Sequence, residues 1–242
     1  RDAQESRGLG DVYKRQKRVC NPKLMGEILT VGLPSLIQMG GLSLMSGLMN
    51  RMLSTAAGTN GVNTFAYISK LAAFATVPFT AICQAAAPIV GYNYGAGHMQ
   101  RVREALRFSL GICLLYAVLF FGLIQIMPEA FIRLFTDSEI IVQMGGKALR
   151  IIACSLPFTP ISMLMGAYFQ ALGDKKRAFF LYAAAPVLLL PTVVLLEKAG
   201  GLHGVWWSYV LSNALAAFVS VFVFYFTNQS GKNKKAHNGL SI

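Results

Sequence analysis

The chain has 242 residues, of which 55% are hydrophobic and 13% are charged, and its formal net charge at pH 7 is +12. Soluble domains usually carry about 25% charged residues, so the composition argues against a water-soluble enzyme or binding module. A large positive charge can indicate a nucleic-acid partner. Here the basic residues lie between long apolar runs, where they orient a membrane protein. We therefore expect membrane lipids, and no nucleic acid, as partners of this chain.

The first 16 residues differ from everything that follows, because they are polar and show neither helical nor strand periodicity. Residues 11–16, DVYKRQ, back-translate to a nucleotide string that resembles the transposase mosaic-end adapter used to prepare sequencing libraries. We interpret residues 1–16 as a translated adapter artefact and exclude them from the fold. The alternative is an ordinary disordered cytoplasmic tail. On the adapter interpretation the gene was cut at this point, and the chain is a fragment without its natural start.

Six charge-free apolar runs follow, and each predicts a transmembrane helix. A helix rises about 1.5 Å per residue, so roughly 20 apolar residues cross a hydrocarbon core of about 30 Å. The runs cover residues 28–50, 71–100, 108–128, 151–173, 178–196 and 204–231. The predicted fold is therefore an all-α integral membrane bundle of six transmembrane helices. It occupies residues 17–230, and a basic cytoplasmic tail occupies residues 231–242.

The loops predict both orientation and turns. Beyond residue 16, twelve Lys and Arg residues lie before the first span, after the second and fourth spans, and in the tail, whereas six lie on the other side. Because Lys and Arg accumulate in cytoplasmic loops, both chain ends are predicted to lie in the cytoplasm. The short loops and the basic inner segments favour a bacterial inner membrane. Asn60-Gly61 predicts the turn after the first span, and Gly173-Asp174 the turn after the fourth. The segment 128–150 predicts a short helix in the plane of the interface.

Prolines interrupt four of the predicted spans. They are Pro34, Pro78, Pro88, Pro157, Pro160, Pro186 and Pro191. Each removes a backbone donor and is predicted to bend or break its helix. Discontinuous helices beside a binding cavity are typical of transporters, so the pattern favours a moving or cavity-lining bundle. The alternative is that proline is simply commoner in transmembrane helices than in soluble ones.

No acidic or basic side chain lies near the middle of a predicted span. A charge there costs about 2.5–3.5 kcal/mol on insertion scales, so uncharged polar side chains are the candidates for lining a cavity. These are Gln38, Asn50, Gln84, Tyr168, Gln170 and Asn213. The alternative is that they form hydrogen bonds between helices. The chain has no nucleotide-binding, hydrolase or metal-ligand motif, so we expect neither an enzyme nor a bound metal or cofactor.

Several sequence blocks together resemble one transporter family. They are GLPSLIQ at residues 32–38, ICQAAAPIVGYNYGA at 82–96, RVREALR at 101–107, KALRII at 147–152, FQALGDKKRA at 169–178 and GLHGVWWSY at 201–209. In this order and at this spacing, the region from about residue 20 to 228 resembles the second half of a MATE (multidrug and toxic compound extrusion) transporter.

The resemblance implies a fold of twelve helices in two six-helix lobes, which alternate between inward-open and outward-open states. Family members expel mainly cationic, amphipathic compounds in exchange for Na+ or H+. This chain would supply the second, C-terminal lobe and would need the missing N-terminal lobe as its partner. Some branches of the family place a coupling glutamate in the seventh helix, but residues 38–49 contain no acid. The coupling-ion site is therefore expected in the missing half.

The predicted function is secondary active export of drugs or toxic, mainly cationic, compounds. Gln38, Asn50, Lys70 and Gln84 are predicted to bind substrate, because they are polar groups on or beside proline-bent helices of the matching lobe. A lipid-linked oligosaccharide flippase of the same superfamily is an alternative, although the lack of charge within the spans argues against it. A different class of alternative is a six-helix protein that acts alone, as a membrane scaffold or a channel-like oligomer.

Overall fold

The computed structural model describes the backbone of residues 22–238, and the side chains of residues 43–227 with a few before them. Residues 1–16, interpreted above as adapter sequence, lie outside the described residues, as do the last four residues of the basic tail. Every regular element in the described part is a helix. In chain order they are α1 (Pro22–Gly95), α2 (Met99–Ile126), α3 (Pro128–Arg133), α4 (Glu139–Ala153), α5 (Thr159–Ala171) and α6 (Lys175–Asn238).

Helices α1 and α6 are each divided by a glycine. Gly58 has φ 60° and ψ −151°, and Gly201 has φ 53° and ψ −132°. Residues with a Cβ atom rarely adopt these backbone angles, so these positions favour glycine. They divide α1 into segments 22–57 and 59–95, and α6 into segments 175–200 and 202–238.

At Gly58 the chain reverses direction. A Cβ atom built on Gly61 would lie 2.9 Å from the carbonyl oxygen of Leu53, whereas two residues eight apart in a straight helix are about 12 Å apart. The predicted turn at Asn60-Gly61 is therefore misplaced by two residues. Gly61 is needed for the close approach of the two segments, and Gly58 provides the turn. A Cβ on Gly204 would likewise meet the Leu196 carbonyl, so α6 reverses at Gly201.

Three helical stretches are long and apolar enough to cross a membrane among the described residues, namely Met39–Gly95, Met99–Ile126 and Lys175–Thr227. The predicted run 108–128 lies almost entirely within α2. Runs 28–50 and 71–100 lie on the two segments of α1, except that residues 96–98 form the following turn and residues 99–100 begin α2. Runs 178–196 and 204–231 lie on the two segments of α6. Run 151–173 is not one continuous helix. Its α-helical hydrogen bonding stops at residues 154–158, which contain Pro157, before α5 begins.

The other interior prolines do not break their helices. Pro78 and Pro88 lie within the second segment of α1, and Pro186 and Pro191 within the first segment of α6, and the only non-helical dihedrals in either helix are at the two glycines. The helix is broken beside a proline at residues 154–158, and bending of the helices at the other prolines stays a prediction. Pro186 instead provides a helix crossing. A Cβ on Gly41 would lie 2.5 Å from its Cγ.

Two turns and one short helix follow the sequence expectation. Gly173, with φ 75°, connects α5 to α6 as predicted, and Gly97, with φ 78°, connects α1 to α2. Helix α3 is the short helix predicted in segment 128–150, and α4 begins within the same segment. Its placement in the plane of the interface stays a prediction.

The buried side chains form two apolar clusters. One joins α1, α2, α3, α4 and α6 near the two reversals, where the rings of Phe65 and Trp206 lie 6.3 Å apart. The other joins α1, α2, α5 and α6 near the Gly97 and Gly173 turns and includes Val102, Phe169 and Leu181. The two reversals therefore lie at one end of the bundle, and the two turns lie at the other.

Candidate functional site

The reversal at Gly58 aligns one polar residue from each segment of α1. Asn50 lies one helical turn before Leu53, and Thr64 lies one turn after Gly61, which touches Leu53. Residues three or four apart share a face of a helix. Asn50 and Thr64 therefore lie at the same level, on the faces through which the two segments pack.

Both residues carry a buried oxygen that lacks a hydrogen-bond partner. Thr64 is fully buried, and its hydroxyl makes no hydrogen bond. Asn50 is half-buried, and its Oδ1 is likewise buried and unpaired. A buried polar group left unpaired costs about 1–3 kcal/mol. The pair thus offers one hydroxyl, which can donate and accept, and one carbonyl acceptor to a polar group that enters between the segments.

Lys70 is exposed and contacts an aromatic pair. The rings of Tyr67 and Phe135 are stacked with centroids 5.7 Å apart, and Lys70 Nζ lies 5.7 Å from the Tyr67 centroid and 5.8 Å from the Phe135 centroid. These distances are typical of cation–π interactions. Because Phe135 lies in the α3–α4 connection, Lys70 links that connection to α1. It is six residues from Thr64, which places it on a different face of the segment.

The other two predicted site residues are farther away. Gln84 is exposed and lies 20 residues beyond Thr64, about 30 Å along the helix. Gln38 lies in the first segment of α1, but its side chain is outside the described residues. The structure therefore places Asn50 at the same level as Thr64 across the reversal, and it places Lys70 and Gln84 elsewhere. The binding of substrate by these four residues stays a prediction.

Other polar candidates make hydrogen bonds. Gln170 Oε1 accepts a hydrogen bond of 3.2 Å from the Tyr182 hydroxyl, which joins α5 to α6. Asn213 Nδ2 donates to the Tyr209 carbonyl in its own helix at 2.8 Å. Tyr168 is buried against the rings of Phe169 and Phe224. Hydrogen bonding or packing accounts for these three side chains.

Sequence reasoning missed Thr64. Thr64 lies between two of the predicted apolar runs, and a threonine in such a connection carries no motif. The signal that could have identified it is its spacing around the turn, which becomes visible only when the turn is assigned to Gly58. Among the residues that the structure describes, no group of three His, Cys, Asp or Glu residues is placed to hold a metal ion.

Comparison with known proteins identifies the family. The MatE family model matches residues 34–195. The chain is 24% identical over 207 residues to the multidrug export protein MepA of Staphylococcus aureus (strain bovine RF122 / ET3-1), an alignment that covers 85% of this chain and 45% of MepA. The chain thus spans about half the length of the curated relatives it matches.

Two solved structures are similar in fold to this chain over most of its length. The outward-facing conformation of a multidrug resistance MATE family transporter of the MOP superfamily matches with a TM-score of 0.81 and 25% identity, over 91% of this chain and 50% of that one. The inward-facing conformation of such a transporter matches with a TM-score of 0.79 and 26% identity, over 88% and 50%. Since the family model covers about two thirds of its residues, this chain belongs to the MatE family of membrane transporters.

Proposed function

We propose that the chain forms one six-helix lobe, the second of two, in a transporter that exports cationic, amphipathic compounds in exchange for Na+ or H+. The observation that carries the proposal is the match of the described fold to about half of a multidrug resistance transporter. The similarity to multidrug export proteins named MepA, along 85% of this chain, supports the same activity.

In this proposal the bundle crosses the membrane six times. The crossings are the two segments of α1, then α2, then α4 together with α5, and then the two segments of α6. An even number of crossings returns the chain to the side on which it started. The basic residues near the Gly97 and Gly173 turns favour the cytoplasm of a bacterial cell as that side.

The similarity to both transport states supports alternation by movement of whole lobes. The TM-scores for the outward-facing and inward-facing structures are 0.81 and 0.79. A lobe that rearranged internally between the two states would resemble one of them much more than the other. We therefore propose that this lobe tilts largely as one body during transport.

The positions of the acidic side chains bear on which lobe couples ion movement to export. Every Asp and Glu whose side chain is described lies near a helix end, a turn or a reversal; they are Glu104, Glu129, Asp137, Glu139, Asp174 and Glu197. We propose that the coupling carboxylate belongs to the other lobe. This lobe would contribute uncharged groups to the substrate path, with Asn50 and Thr64 as the pair near its outer end.

Export can be tested with the complete transporter, in which the chain is joined to the coding sequence that precedes it in the genome. Cells of an efflux-deficient bacterium that express it should retain less ethidium, an aromatic monocation, than cells with an empty vector. Retention should rise again when the Na+ and proton gradients are collapsed. Equal retention, with the protein present in the membrane fraction, would contradict the proposal.

Two further measurements separate the alternatives. A flippase for lipid-linked oligosaccharides would leave ethidium retention unchanged and would transfer fluorescent glycolipid between leaflets of a vesicle. A six-helix scaffold would form a discrete homo-oligomer in detergent from this chain alone.

A further inference from the structure

We propose that the end of the bundle at which α2 and α6 begin is a binding site for an anionic phospholipid. This surface, which we call the basic rim, consists of Arg101, Arg103, Arg107, Lys175, Lys176 and Arg177. The proposal is independent of what the protein exports, because it concerns the outer surface and not the interior of the bundle.

The six residues form one surface although they come from two distant parts of the chain. Val102 and Leu106 of α2 share a buried cluster with Ala178 and Leu181 of α6. The packing of these neighbours brings the first turns of the two helices together. Arg177 also lies over the ring of Phe169, a member of this cluster, with its guanidinium carbon 5.7 Å from the ring centroid.

The rim carries an excess of positive charge. Its six cations accompany two acids, Glu104 and Asp174. Asp174 pairs with Arg177 at 2.7 Å, and Glu104 accepts a hydrogen bond from Gln100 at 3.0 Å. All six basic side chains except Lys175 are exposed. The net formal charge of the rim with its two acids, six minus two, is +4, which complements a phosphate group.

The start of α2 adds to this charge. Helix α2 has 28 residues and no acidic residue in its first turn, whereas at the start of α6 the Asp174 carboxylate already accepts a hydrogen bond from the Arg177 N–H. Unpaired N–H groups and the helix dipole make a helix N-terminus attractive to anions. A groove of about 510 Å³ opens at the start of α2, lined by Gly97, His98, Met99, Gln100, Arg101 and Glu104.

Exposed apolar side chains next to the rim favour a lipid over a free anion. Phe108 follows Arg107 and is 71% exposed, and Phe180 lies one turn after Lys176 and is 55% exposed. A phospholipid would place its phosphate at the basic side chains and its acyl chains along these rings. Basic pockets at membrane-spanning helices bind anionic headgroups in this way.

The test is competition between lipids for the full chain in detergent, measured by native mass spectrometry. We expect the protein to retain phosphatidylglycerol in preference to phosphatidylcholine. Because one basic residue near an anionic lipid contributes about fivefold in binding, the double variant Arg103→Gln/Lys176→Gln should lose about tenfold or more of this preference. The matched control, Arg51→Gln/Lys198→Gln, removes one exposed Arg and one exposed Lys near the opposite end and should keep it.

Three results would overturn the proposal. The first is equal retention of the two lipids by the unaltered chain. The second is the same loss of preference in the rim variant and in the control. The third is competition by soluble glycerol phosphate as strong as that by phosphatidylglycerol, since this would indicate an anion site with no role for acyl chains. The unfolding midpoints of the rim variant and of the control are measured alongside, so that a loss of preference caused by misfolding is recognised.

Discussion

At the scale of single residues, Thr64 combines complete burial with an unpaired hydroxyl. Thr64→Val keeps the shape of the side chain and removes that hydroxyl. Because the variant removes an unpaired buried hydroxyl, it should be as stable as the parent or more stable, by up to about 1–3 kcal/mol. If Thr64 lies on the substrate path, the variant should also export ethidium several-fold more slowly. Thermal unfolding in detergent and dye efflux from cells measure the two effects.

Thr192→Val is the matched control for Thr64→Val. Thr192 is also a buried helical threonine, but its Oγ1 donates to the Leu188 carbonyl at 2.8 Å. Its replacement should leave efflux unchanged. Unaltered efflux in Thr64→Val as well would exclude Thr64 from the substrate path.

Lys70 is explained by its contacts with Tyr67 and Phe135. An exposed cation–π interaction contributes about 0.5–1 kcal/mol, so Lys70→Gln should lower the unfolding midpoint slightly and Lys70→Arg should restore it. If Lys70 also binds substrate, Lys70→Gln should change the apparent KM for efflux, whereas a purely structural role predicts an unchanged KM. Efflux rates at several dye concentrations distinguish the two roles.

At the scale of elements, the glycine reversals determine how α1 and α6 fold. Gly58 has dihedrals that a side chain disfavours, so Gly58→Ala should destabilise the protein by about 1–3 kcal/mol. Gly47 is a helical glycine with open space around its Cβ position, and Gly47→Ala should be neutral or stabilising. Thermal unfolding of both variants checks this, and equal midpoints would mean that Gly58 is not strained.

Gly41 lies at a close contact between α1 and α6. A Cβ on Gly41 would lie 2.5 Å from Pro186 Cγ, whereas a Cβ on the adjacent Gly40 meets nothing within 4 Å. Gly41→Ala should therefore lower the unfolding midpoint and Gly40→Ala should not. A midpoint for Gly41→Ala that matches the parent would show that the two helices separate easily at this crossing.

These elements also show what the sequence could predict and why. The apolar runs located most of the helical segments, because hydrophobic length is a strong signal. Gly173 was assigned to a turn correctly. Gly58 was missed because positive φ depends on the packing of both segments, and the neighbouring Asn60-Gly61 pair is the stronger local turn signal. Pro78, Pro88, Pro186 and Pro191 all lie within helices, so a proline in the sequence does not by itself locate a break.

The candidate site was less predictable than the fold. Asn50 was identified by its polarity inside an apolar run, but its neighbour Thr64 depends on the exact position of the reversal. Gln170 resembled a cavity residue in the sequence and accepts a hydrogen bond from Tyr182. Only the three-dimensional packing separates a polar side chain that has a partner from one that lacks it.

At the scale of the whole molecule, the chain matches about half of each transporter to which it is similar. In the proposed function, this chain needs a second lobe to enclose a substrate. The proposed function therefore depends on a complementary bundle of similar size, encoded next to this one. The basic rim would then anchor one end of this lobe in the cytoplasmic leaflet while the lobe tilts.

The most direct measurement is the genomic DNA sequence upstream of the codon for Lys17. We expect an open reading frame that continues upstream through another set of about six apolar spans, with an acidic residue in the first of them to couple ion movement to export. A start codon immediately upstream, with no further spans, would contradict the two-lobe exporter and leave a six-helix protein that acts alone.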